Sequence, residues 1–171
     1  MTNKEIHIVA QTAQSTVVTE FTPSSRRAEQ YQSEDALEKE LIAQLQTQAY
    51  EYLTIREESD LVVNLRKQLE KLNNYAFTDN EWKSFFDTEI ANASQGIAEK
   101  TTTIQEDYIK ILGCDNGKDK NIYLLDKANI HNNSLQVINQ YSTEDGARSN
   151  RYDVTVLVNG LPLVHIELKR R

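Results

Sequence analysis

Three ionisable residues stand inside apolar runs near the end of this chain: Asp153 in YDVTVLV, then Glu167 and Lys169 in LVHIELK. Both runs read as β-strands, and charges placed within such strands cost several kcal/mol unless something offsets them. A divalent cation is the natural counterpart. Two carboxylates from neighbouring strands can hold Mg²⁺ through hard oxygen ligands, with water and a phosphate oxygen completing the shell. Such an ion polarises a phosphodiester and lowers the pKa of an attacking water. An amine on the same face, Lys169, can orient or deprotonate that water or stabilise the added charge of the transition state.

Strand parity sets a condition on this chemistry. Asp153, Thr155 and Leu157 share one face of the first strand, and Glu167 and Lys169 share a face of the second. A two-residue turn at Asn159-Gly160 with a regular ladder pairs Asp153 with Ile166 and sends Glu167 to the wrong face. A three-residue loop over 159–161, or a bulge, sets Asp153 opposite Glu167. The other reading is an edge hairpin whose charges are simply solvated.

The elements that must position these residues follow from periodicity. Residues 5–10 and 16–22 are β-rich and suggest short strands or an extended arm over 1–32. From Ser33 the pattern is helical, with Glu34 and Asp35 in the first turn and Leu37, Leu41, Ile42 and Leu45 at three- and four-residue spacing. A second helix is predicted over 61–73, ended by Asn73-Asn74. Thr78-Asp79-Asn80-Glu81 is a capping box opening a third, which presents Trp82, Phe85 and Phe86 as core rather than as a stacking platform. The stretch 96–112 is ambiguous, since its threonine run weakens a helix that Ile104, Tyr108 and Ile111 support. Strands are predicted at 122–125, 135–138, 152–158 and 163–168. Helices first and a meander of strands last make an α+β domain over 33–171.

Composition narrows the function classes. The net charge of −7 argues against a freestanding DNA-binding domain held by a basic surface, but not against a module that other domains deliver to DNA. Arg151 and Arg170 flank the carboxylates and are candidate phosphate contacts. A single cysteine, Cys114, excludes an internal disulfide and a cysteine-cluster zinc site. His165 reads as a satisfied strand histidine, and His7 and His131 have no partners at metal-binding spacing. With no signal-peptide pattern and no long apolar run, the chain is expected to be cytoplasmic.

The run NRYDVTVLVNGLPLVHIELKRR, with SEDALEKELIAQLQTQAYEYL and NIYLLDKANIHNNSLQVINQY upstream, resembles the N-terminal part of the restriction subunit (HsdR) of type I restriction–modification enzymes, of the IC-like group. The resemblance implies an incomplete PD-(D/E)xK endonuclease-like core with an antiparallel or mixed sheet, and Mg²⁺-dependent cleavage of unmodified DNA. Asp153, Glu167 and Lys169 would be the catalytic residues, and Glu38 would match a first-helix glutamate that approaches the metal. It also implies DNA, methyltransferase and specificity subunits as partners. In the family the nuclease domain continues past the lysine into a Gln-x-x-x-Tyr helix, and ATP belongs to translocase domains; residues 1–171 carry neither. The chain is therefore expected to be a fragment or a truncated product with an open sheet edge, for which a non-catalytic docking module is the alternative.

Overall fold

The computed structural model describes residues 5–11, 16–21, 33–145 and 148–169, with side chains described for 33–141 and 152–169. The chain divides into two units, Met1–Ser33 and Glu34–Arg171. In the first, β1 (Glu5–Gln11) and β2 (Thr16–Phe21) form an antiparallel pair with an irregularity between Ile8 and Ala10.

The second unit is α+β. Helix α1 (Glu34–Thr47) carries Glu34 and Asp35 in its first turn, where carboxylates complement the helix dipole. Helix α2 (Glu58–Asn73) ends where Asn74 turns left-handed (φ 47°) and Tyr75 N–H reaches back to the Glu70 carbonyl at 3.1 Å, a Schellman closure. The capping box opens α3 (Asp79–Phe85) as its sequence predicts: Glu81 N–H donates to Thr78 Oγ1 (3.1 Å) and Thr78 N–H to Glu81 Oε2 (2.9 Å). A π-helical turn, Phe86–Ile90, continues it. The ambiguous stretch resolves into two elements, α4 (Ile97–Gln105) and β4 (Ile109–Gly113). The threonines tolerate the helix by donating back to it, Thr101 Oγ1 to the Ile97 carbonyl and Thr102 Oγ1 to that of Ala98.

Strand β4 pairs with β5 (Asp119–Tyr123) as a separate two-stranded hairpin. The main sheet contains β3 (Glu51–Tyr52), β6 (Leu135–Asp145), β7 (Arg148–Val158) and β8 (Leu161–Ile166), in the order β3-β6-β7-β8. Strands β6, β7 and β8 are the antiparallel meander expected, and β3 adds a short parallel edge that no periodicity announced.

Helices cover both faces of this sheet. On one face Ile42 of α1 packs with Val137 and Val154, and with Ile166 and Leu168 beside them. On the other, Leu61 of α2 packs with Ile138 and Leu157. Consecutive residues of the central strands are buried as a result. A third cluster joins Leu65 and Leu69 of α2 to Phe77, Trp82, Phe85, Leu112, Ile122 and Leu161, so the aromatic residues of α3 are core.

Candidate functional site

The register that strand parity made decisive is set by the turn and by the ladder beyond it. The turn between β7 and β8 is the tight two-residue one, Asn159 (φ 51°) and Gly160 (φ 82°), and Val158 pairs with Leu161. It is not the three-residue loop. Register then shifts at a bulge around Leu163: Leu157 pairs with Pro162, but Val156 with Val164 and Val154 with Ile166. The ladder ends at that last pair, with Asp153 and Glu167 next in sequence on either side of it. Pro162 is accommodated because β8, among the described residues, pairs on one side only.

The turn is fixed from outside the hairpin. Asn159 is 1% exposed: its N–H donates to the Ser134 carbonyl, its amide nitrogen to the Leu124 carbonyl and to Asn133, and its amide oxygen accepts from Ser134 N–H. Gly160 lies against α2, where an added Cβ would stand 2.6 Å from Leu65 Cα.

Strand β7 is irregular at Asp153 itself. Thr155 Oγ1 contacts His165 Nδ1 at 2.9 Å, and the Tyr152 ring stacks on His165 with centroids 4.0 Å apart. Residues three apart on a regular strand lie on opposite faces, yet Tyr152 and Thr155 share this one. The pleat therefore inverts between them. Strand β6 does the same across the ladder, where Gln140 (φ 55°) stands between the pairs Asn139–Val154 and Tyr141–Tyr152, facing Asp153. The Asp153 carboxylate is half-buried and accepts Leu168 N–H at 2.7 Å, which ties the end of β8 back to β7. Glu167 and Lys169 are exposed and form an ion pair at 3.7 Å.

Glu38 approaches from α1. It is 6% exposed, and its carboxylate accepts Asn139 Nδ2 at 2.6 Å and Gln140 Nε2. Tyr52 donates its hydroxyl to Asn139 Oδ1 at 2.8 Å. Neither Asn139 nor Gln140 carries a sequence signal for this role, because the irregular β6 that presents both to one helix is a tertiary feature. Among the described residues, no three of His, Cys, Asp or Glu are gathered to cage a metal.

His165 is a satisfied strand histidine, as expected, with burial pushing its pKa below the usual value. Cys114 is half-buried and accepts the Tyr75 hydroxyl. The Arg151 side chain, and Arg170 entirely, lie outside the described residues. No helix among the described residues is long and apolar enough to cross a membrane.

Comparison with known proteins adds the family. Residues 31–171 match the family described as "Type I restriction enzyme R protein N terminus". The chain is 46% identical over 156 residues to the Type I restriction enzyme EcoprrI endonuclease subunit of Escherichia coli, covering 91% of this chain and 50% of that protein. It is 40% identical over 146 residues to the SsaAORF53P endonuclease subunit of Staphylococcus saprophyticus, and 40% over 148 to the SauCOLORF180P subunit of Staphylococcus aureus. Each match covers 82% of this chain but only 15% of the staphylococcal protein.

Proposed function

This chain belongs to the family of type I restriction enzyme R protein N termini, and from that premise we propose that its β7–β8 hairpin carries the DNA-cleaving centre of a restriction subunit. The observation that supports the reading is the bulge at Leu163, which pairs Val154 with Ile166, the neighbours of Asp153 and Glu167, while Lys169 is ion-paired to Glu167. The donor chemistry fits Mg²⁺, because hard carboxylate oxygens are its usual protein ligands and one or two of them suffice when water and substrate complete the shell. When bound, the ion supplies charge neutralisation at the phosphate and a more acidic attacking water.

Asp153 and Glu167 would hold the ion. Leu168 N–H fixes the orientation of Asp153 by donating to one of its oxygens. Lys169, drawn in by Glu167, would face the developing charge of the phosphate. Glu38 is the candidate third ligand, but it is not gathered with the other two carboxylates and would reach the ion only after a rearrangement. Its carboxylate is already oriented by Asn139 and Gln140 and would give up one of those amides on binding. The fold this reading implies is a PD-(D/E)xK nuclease core, and the site would act on unmodified DNA in a complex with methyltransferase and specificity subunits. ATP-driven translocation would belong to other parts of the longer subunit.

The test is mutational. Asp153→Ala, Glu167→Ala or Lys169→Ala in the full-length subunit should abolish DNA cleavage, a loss of at least about 10²-fold, and leave ATP hydrolysis intact. Cleavage retained in any of the three defeats the assignment. Mg²⁺ or Mn²⁺ should also raise the thermal midpoint of this chain, but not of the Asp153→Ala form; no response in either favours a docking module.

A further inference from the structure

The geometry points to Arg56 as a strand-holding residue that binds a DNA phosphate at the rim of a groove over Glu38; this rests on the nuclease reading above. An open groove of about 490 Å³ runs between α1 and the β3–β6 side of the sheet, with Glu38, Asn139 and Tyr52 in its lining and Lys39 and Arg56 among its cations. A cleft of that volume takes a nucleotide-sized segment of one strand. Its polar groups are fixed, because Tyr52, Asn139 and Glu38 form one hydrogen-bonded chain.

Arg56 differs from the cations around it. It is exposed on the loop between β3 and α2 and has no acid or hydrogen-bond partner among the described residues. Lys39 is taken by Asp35 at 2.8 Å. Arg66, the other arginine with a described side chain, is held by Glu70, Asp79 and the Phe77 carbonyl. In a chain with 26 acidic residues against 19 basic ones, a guanidinium left without a carboxylate beside a polar groove is a ready anion receptor. Its planar fork matches two phosphate oxygens, which an ammonium does not. The location is also right. The groove includes Gln140, which faces Asp153 across the β6–β7 ladder. A strand lying in the groove would thus meet Arg56 and also Gln140, which stands across the ladder from Asp153.

The experiment is DNA binding by this chain without divalent metal: fluorescence anisotropy of a short labelled duplex in EDTA, over a series of salt concentrations. Arg56→Ala should weaken binding about five- to tenfold and lower the slope of log K against log salt by about one. Arg56→Lys should keep the slope but recover only part of the affinity, and its thermal midpoint should equal the wild-type value. Lys83→Ala, on α3, should bind as wild type. The inference is overturned if Arg56→Ala binds like wild type, if Lys83→Ala loses as much, or if the wild-type chain binds no DNA. Cleavage separates it from its premise: an active Asp153→Ala subunit sinks the nuclease reading, whereas an inactive one beside normal binding by Arg56→Ala sinks only this inference.

Discussion

Asn159 and Gly160 control the candidate site without touching it. Both have positive φ, as a two-residue hairpin turn with the right twist demands, and each is locked by a different neighbour. Asn159 satisfies four hydrogen bonds from inside the core, and Gly160 leaves no room for a side chain against Leu65. Gly160→Ala must push the hairpin off α2 as well as strain the turn. It should cost at least ~2 kcal/mol by urea denaturation. Gly113→Ala, where an added Cβ meets nothing within 4 Å, should change stability by no more than ~0.5 kcal/mol. Equal effects of the two would refute the steric argument.

At the scale of elements, one carboxylate joins α3 to the β4–β5 hairpin. Glu81 is buried and accepts from Thr78 N–H and Asp115 N–H, each at 2.9 Å, and from the Tyr75 hydroxyl. The backbone N–H of Thr78, then that of Asp115, hold its pKa below the usual value of 4.5. Contact with Cys114 and burial raise that of Tyr75, so the phenol stays a donor at neutral pH. A carboxyl with a lowered pKa in the folded state contributes stability above its ordinary pKa and loses it as pH falls through the lowered value. The thermal midpoint should therefore fall on acidification below about pH 4.5, and Glu81→Gln should flatten that fall. An unchanged acid limb in the variant would refute the assignment.

Taken whole, the second unit has a sheet covered on both faces by helices and, among the described residues, bounded by β8 at one edge. Strand β8 exposes Leu163 (41%) and Val164 (48%) beside unpaired backbone groups, a template for another strand. Concentration-dependent self-association of this chain should fall in Val164→Lys, read by sedimentation velocity. Undiminished association would place the contact elsewhere. The net charge of −7 opposes association and nonspecific DNA binding alike, so both are expected to be strongest on local features such as this edge and the Arg56 groove.

Local chemistry made much of this legible from residues alone. The Thr78–Glu81 capping box, the Asn74 stop of α2, the core role of Trp82 and Phe85, and the β6–β7–β8 meander each follow from neighbours a few positions away. Spacing also named Asp153, Glu167 and Lys169, and reduced their convergence to a question of odd or even register. That question had no local answer, because the turn is held by contacts with α2 and the 124–134 segment. The same holds for the Glu38 amide partners, the two-residue β3 and the Arg56 groove. Sequence fixes which groups a strand or helix offers; packing against distant elements decides which of them meet.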